Sequence, residues 1–213
     1  MPLPLRDYFK DLLAHYGPQH WWPGESPFEV MVGAVLTQGA AWSNVEKAIR
    51  NLKAYDLLDP GRIHELDEDT LALAIKPAGY FRVKARRLKN LVAWFVVRHG
   101  ADVEKLRALR PDLLREELLE VKGVGPETAD SILLYALGIP SFVVDTYTHR
   151  VMTRHGLAGE DTGYDDLKET FERALPRDAA LYNEFHALIV AVGKEFCRPT
   201  ARCETCPLRA RLP

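Results

Sequence analysis

Apolar positions recur along most of this chain at helical spacing, and nowhere do they alternate convincingly with the period of two that half-buried strands require. Tyr8, Phe9, Leu12 and Leu13 predict a first amphipathic helix. Residues 28–38 are apolar nearly all round, the pattern of a centrally buried helix, and Val45, Ala48, Ile49 and Leu52 predict the next one. Leu88, Leu91, Val92, Phe95 and Val96 form a further stripe, and Leu181, Phe185, Leu188, Ile189 and Val192 a long late one. Pro60 and Pro77 punctuate connectors, and no internal repeat or low-complexity segment interrupts the series. The pattern predicts an all-α protein.

The middle of the chain carries the most chemistry. Leu113, Leu114, Leu118, Leu119 and Val121 predict a short helix that Gly123 and Gly125 break, and Pro126 restarts a helix where proline is tolerated best. Ala129, Ile132, Leu133, Ala136 and Leu137 then predict one continuous buried face. Two helices therefore meet at a tight glycine hairpin. Without a Cβ at Gly123 and Gly125 the backbone approaches a phosphate closely, and N–H groups at the new helix start face an anion with a favourable dipole. Glycine also ends helices for purely structural reasons, so the hairpin alone leaves both readings open. Gly138, Ile139 and Pro140 end the second helix, residues 141–144 run extended, and Asp145-Thr146 opens a third helix through Val151 and Met152. Asp145 reads both as an N-cap and as a catalytic acid, and a carboxylate fixed as a cap is also a rigid one.

The segment from Lys122 to Ala129 with its following Asp145, the run Val35-Leu36-Thr37-Gln38, the turn Gly79-Tyr80-Phe81-Arg82-Val83-Lys84-Ala85 and the cysteine-bearing tail resemble the helix-hairpin-helix DNA glycosylases of the endonuclease III superfamily. The resemblance covers nearly the whole chain. It implies two helical lobes, a central one over 26–138 and a second made of 1–25 and 139–213, with the active site in the interlobe cleft and damaged double-stranded DNA lying across it. It further implies that Asp145 is catalytic. Gly123, Val124 and Gly125 would grip a phosphate on the 3′ side, with Lys122 beside them, a monovalent cation would sit on hairpin carbonyls, and Gln38 would fill the gap left by an extruded base. Family members that also cleave the backbone carry a lysine two residues after the second hairpin glycine, and here that position is Glu127. Glutamate has no amine, so a Schiff base cannot form there and water is the expected nucleophile. Glu127 also reads simply as a first-turn acid complementing the helix dipole.

Composition adds bounds. The 213 residues are 47% hydrophobic and 27% charged, enough for a substantial core, and the formal charge of −2 gives no global pull toward DNA. Phosphate affinity must then be local. Arg82, Lys84, Arg86, Arg87 and Lys89 form the densest basic cluster, which reads equally as a phosphate-binding face and as the solvent side of a helix. Nothing at the N-terminus resembles a signal peptide and no apolar run is long enough to cross a bilayer, so the expectation is a cytoplasmic monomer with no membrane partner.

All three cysteines, Cys197, Cys203 and Cys206, fall within ten positions of the tail, which in a cytosolic chain suggests a metal or iron–sulfur site rather than disulfides. The spacing resembles the family's four-cysteine loop for a 4Fe-4S iron–sulfur cluster, but the fourth position is Leu212 and no histidine follows Cys197 to replace it locally. A cluster with one open iron, a zinc ion and an empty structural loop all remain open. Arg198, Arg202, Arg209 and Arg211 nearby read either as phosphate contacts or as surface charge.

Trp21, Trp22 and Trp42 fall near the segments that line the family's nucleotide pocket, although each tryptophan taken singly also reads as core. An extruded base needs a surface to stack on, and aromatic walls favour a cationic one. Alkylated purines such as 3-methyladenine are cationic and leave without a strong general acid. The His20-Trp21-Trp22-Pro23 segment, with Leu36-Thr37-Gln38 and a following aromatic, resembles the 3-methyladenine branch of the group. His186 and Lys194 are read on the polar side of the late helix, where they could border the cleft. The expectation is a monofunctional DNA glycosylase of base excision repair; a mismatch- or oxidised-base glycosylase and a non-catalytic helix-hairpin-helix DNA-binding module are the alternatives.

Overall fold

A computed structural model describes residues 4–213; residues 1–3, where the predicted N-terminal segment begins, lie outside it. In chain order the helices are α1 (Leu5–Tyr16), α2 (Pro27–Leu36), α3 (Trp42–Ala54), α4 (Pro60–Glu65), α5 (Glu68–Ala74), α6 (Phe81–Ala93), α7 (Val103–Arg107), α8 (Pro111–Glu120), α9 (Pro126–Ser131), α10 (Thr146–Arg154), α11 (Tyr164–Ala174) and α12 (Ala179–Glu195). Helix α6 runs on into a π-turn at Trp94–Arg98, and α9 into another at Ile132–Ala136. Among the described residues there is no strand, as the periodicity predicts. Six helices begin on a side-chain cap: Ser26, Asp59, Asp67, Asp102, Asp145 and Asp178 each accept a backbone N–H from the first turn, and of these Asp145 is the cap expected from sequence.

The chain forms two compact units. The unit Pro23–Ile139 is built around α2, whose residues from Phe28 to Leu36 are all buried. Two lysines of the basic cluster hold it together from inside. Lys84, 1% exposed, donates from Nζ to the Leu36 and Ala78 carbonyls at 2.7 Å each, closing the end of α2 and the turn before α6 with one ammonium. Lys89 does the same for the end of α4, donating to the Ile63, His64 and Leu66 carbonyls. Both satisfy carbonyls that a helix end leaves without intrahelical partners. Arg115 of α8 makes a two-pronged contact with the fully buried Asp130 of α9 at 2.9 and 3.0 Å, locking the hairpin's two helices. The predicted stripe of α8 needs correction: Leu114, Leu118 and Val121 are buried, whereas Leu113 and Leu119 are 44% and 36% exposed. Positions 114, 118 and 121 share one face, and 113 and 119 point away from it.

The other unit, Met1–Trp22 with Pro140–Pro213, packs α1, α10 and α11 around α12. Phe142 stacks on Phe171 at 4.0 Å and meets Tyr182 and Phe185 edge-on, so the extended stretch before α10 is pinned in the core. Gly193 of α12 lies against Tyr147 of α10, where a Cβ would come within 2.7 Å of the Tyr147 Cβ. Helices α10 and α12 therefore pack closer there than any larger residue allows.

Candidate active site

The glycine hairpin spans residues 121–125. Gly123 has φ 98°, a left-handed conformation, and a Cβ built on it would sit 2.3 Å from Arg87 Cγ. Its glycine is demanded by the fold itself. Gly125 differs: its backbone is extended, it is exposed, and a Cβ would meet nothing within 4 Å. Lys122 is exposed beside them, Val124 is buried with its N–H on the Val121 carbonyl, and Glu127 is exposed in the first turn of α9. The Lys122 carbonyl accepts from Asn90 Nδ2 and the Gly123 carbonyl from Gln38 Nε2, so two carbonyls of the loop already have side-chain donors.

Gln38 is held on three sides. Its Nε2 donates to Gly123 O at 3.0 Å and Thr128 Oγ1 at 2.9 Å, and its Oε1 accepts from Arg87 at 2.6 Å. It thus joins the loop after α2 to the hairpin. Arg87, Lys84 and Lys89 of the basic cluster are all engaged inside this unit, while Arg82 and Arg86 pair with Asp69 and Glu68 at its surface. Lys84 thus ties the Leu36 and Ala78 carbonyls, two residues before Gln38 and Tyr80 respectively, to one ammonium. Tyr80 is 78% exposed with φ 44°, a large aromatic displayed at a strained position that sequence reasoning passed over.

Asp145 combines both of its predicted readings in one geometry. Its Oδ1 caps α10, accepting from Thr148 N at 2.7 Å and Thr148 Oγ1 at 2.9 Å. Its Oδ2 lies 3.7 Å from His186 Nε2 in a setting where the aspartate side chain is 14% exposed. Burial works against the charge, but His186 and the two Thr148 donors outweigh it and hold the carboxyl below the ordinary carboxylate range. Asp145 is therefore an ionised, rigid acid at neutral pH. His186 is 6% exposed, so its expected place on the polar side of α12 is wrong. The signal for it was a lone histidine set in the apolar run of residues 185–190.

Trp21 and Trp22 meet edge to face at 5.5 Å, both half-buried, and Lys194 Nζ lies 5.8 Å from the Trp21 ring centre. Trp42 belongs to the other unit, where it is the half-buried first residue of α3. Cys197, Cys203 and Cys206 line one small cavity of about 20 Å³ together with His155, Arg154 and Leu212. Among the described residues no three ligand side chains close on a single ion. Cys197 is buried, accepts from Arg154 Nη1 at 3.4 Å, and its carbonyl is held by Arg150. Of the tail arginines, Arg198 donates to Lys194 O, Arg209 to Glu204 O and Arg211 to Asp11, each an intramolecular use.

No helix among the described residues is long and apolar enough to cross a membrane. The chain is 51% identical over 94% of its length to a putative DNA repair glycosylase of Methanocaldococcus jannaschii, covering 92% of that protein. It is 32% identical to endonuclease III of Thermotoga maritima, with 86% and 81% of the two chains covered. Among solved structures, H. pylori 3-methyladenine DNA glycosylase bound to 1,N6-ethenoadenine superposes with TM-score 0.78 at 30% identity, covering 91% of this chain and 98% of that one. A non-covalent endonuclease III–DNA complex superposes with TM-score 0.82 at 23% identity over 98% and 93% of the two chains, which shows the fold. The profile of the HhH-GPD superfamily base excision DNA repair proteins matches residues 32–177, hairpin and Asp145 included. An all-helical chain with that hairpin, that capped aspartate and those relatives belongs to the HhH-GPD superfamily of base excision repair DNA glycosylases.

Proposed function

We propose that the protein is a monofunctional glycosylase that hydrolyses the N-glycosidic bond of an alkylated purine extruded from double-stranded DNA. The observation that carries this is that the chain has both a capped Asp145, its carboxyl held below the ordinary carboxylate range, and a glutamate at the hairpin position where a lysine would attack. With no amine at residue 127, the chemistry left to Asp145 is electrostatic support of a positively charged sugar and orientation of water toward C1′. Similarity to a 3-methyladenine glycosylase that binds 1,N6-ethenoadenine supports the substrate class.

In this reading the exposed Gly123 and Gly125, with the Val124 backbone between them and Lys122 beside them, take a backbone phosphate. Tyr80, an exposed aromatic of the same unit as Gln38, suits insertion at the base step that extrusion opens. The tail holds a 4Fe-4S cluster on Cys197, Cys203 and Cys206, whose thiols share one cavity and whose Cys197 sulfur accepts from a guanidinium, as a negatively charged cluster requires. Bound there, it supplies a rigid knot that orders the tail against α10 and α12.

Oligonucleotides carrying single defined lesions test the proposal. Release of 3-methyladenine or 1,N6-ethenoadenine, leaving abasic sites that break only after alkali, is the expected result. Prompt strand scission with a borohydride-trappable lysine adduct would overturn the monofunctional reading. Release confined to oxidised or mismatched bases would overturn the substrate class.

A further inference from the structure

The three cysteines leave one corner of a four-iron cluster without a protein ligand, and the family's fourth cysteine is here Leu212, a hydrocarbon side chain 37% exposed at the cavity's edge. The fold brings a nitrogen donor to the same cavity from a distant part of the sequence. His155, the C-cap of α10, is 9% exposed and lines the cavity with all three cysteines.

The hydrogen bonds around His155 set its tautomer. Nδ1 lies 3.0 Å from the Tyr8 hydroxyl and 3.3 Å from the Arg211 carbonyl, and that hydroxyl lies 3.2 Å from the same carbonyl. A carbonyl only accepts. Were Nδ1 bare, two lone pairs would face each other and the single Tyr8 proton could serve only one of them. With a proton on Nδ1 every group is satisfied: Nδ1–H donates to the hydroxyl or the carbonyl, and Tyr8 donates to the carbonyl. Nε2 then carries the lone pair, and it is the ring nitrogen that neither Tyr8 nor Arg211 engages in a residue that lines the cavity. A ring N–H fixed by a backbone carbonyl is the usual support of a metal-ligating histidine. The carbonyl is itself held in place, because Arg211 is tied to Asp11 at 2.8 Å and Asp7 at 3.6 Å.

We propose that His155 Nε2 is the fourth ligand of the tail cluster, making a Cys3His site of Cys197, Cys203, Cys206 and His155. The proposal rests on the reading that the tail holds an iron–sulfur cluster, and it assigns the position that Leu212 vacates. It also gives Tyr8 a function, as the group that orients the ligand from α1.

The test is anaerobic reconstitution of the full chain with ferrous iron and sulfide, followed by iron and sulfide analysis, absorbance near about 400 nm and pulsed electron paramagnetic resonance of the reduced cluster. The wild type should hold four irons per chain and show hyperfine coupling to a directly bound imidazole nitrogen. His155→Ala should fall to three irons or lose the cluster, and His155→Cys should keep four irons without the nitrogen signal. Circular dichroism of both variants separates ligand loss from misfolding, and retention by His155→Cys excludes a merely structural need for the imidazole. Four irons in the wild type without nitrogen coupling, or four irons in His155→Ala, would overturn the assignment and leave the cluster reading intact. A wild type that takes up zinc, or no metal at all, would overturn both.

Discussion

Oδ2 of Asp145 faces His186 Nε2 at 3.7 Å while Oδ1 is fully used by Thr148, so one oxygen of the carboxylate builds the helix start and the other is left for chemistry. The division predicts a clean separation of stability from activity. Asparagine caps helices about as well as aspartate, so Asp145→Asn should change unfolding free energy by no more than about 1 kcal/mol. Base release should fall by roughly 100- to 1000-fold, the usual scale for removing one preorganised electrostatic group. Chemical denaturation and single-turnover release of 3-methyladenine measure the two quantities on the same sample. Equal activity of the variant would remove Asp145 from the mechanism.

His186 predicts a pH effect. Burial alone would raise the Asp145 carboxyl, and His186 with Thr148 reverses that and lowers it. The acid limb of the wild-type rate profile should therefore lie below the ordinary carboxylate range. Replacing His186 by leucine removes the first of the opposing groups, so the limb should move upward, with His186→Gln recovering part of the shift. An unmoved limb in His186→Leu would reduce His186 to packing.

Linkage fixes the sign of the stability change. A carboxyl whose native pKa is below its unfolded value is protonated first in the unfolded chain as pH falls. Its stabilisation is complete above the ordinary carboxylate range and disappears as pH drops through the lowered native value. Asp145→Asn should flatten that part of the acid-unfolding curve, read by fluorescence between neutral pH and about pH 2.

The helices, the hairpin and the aspartate were legible because each is written locally: apolar spacing, glycine and proline punctuation, and a capping residue. The basic cluster was not, because charge in a sequence does not reveal its partner. Lys84 and Lys89 look like surface cations on α6, yet their ammonium groups close the ends of α2 and α4 through carbonyls 23 to 48 residues away. His186 was put on the wrong face of its helix, and His155 was missed, for the same reason in reverse. Each is a lone histidine in the sequence, and its meaning comes from Asp145 in one case and from Tyr8 and the three thiols in the other.

Lys84 yields its own test. Lys84→Met keeps most of the side chain's volume but leaves the Leu36 and Ala78 carbonyls bare in a buried site. Each unsatisfied group costs about 1–3 kcal/mol, so the variant should unfold at a clearly lower denaturant concentration. Lys84→Arg should not rescue it, since a planar fork cannot occupy the space of an ammonium between two carbonyls 2.7 Å away. A stability like the wild type's would mean that water replaces the amine there.

The two hairpin glycines separate architecture from phosphate binding. Gly123→Ala forces a side chain into φ 98° and onto the stem of Arg87, the same arginine that holds Gln38. Backbone strain and overpacking together should cost roughly 2–4 kcal/mol and loosen Gln38 from the loop, whatever the hairpin binds. Gly125→Ala has no such cost: its backbone is extended and the added methyl enters open space. Stability should stay within about 0.5 kcal/mol of wild type. If a phosphate approaches the loop there, that methyl intrudes on it, and affinity for DNA containing an abasic-site analogue should fall about tenfold, equivalent to about 1.4 kcal/mol. Fluorescence anisotropy at two salt concentrations reads the loss. Full affinity in Gly125→Ala would place the phosphate elsewhere and leave Gly123 as a glycine kept for Arg87 alone.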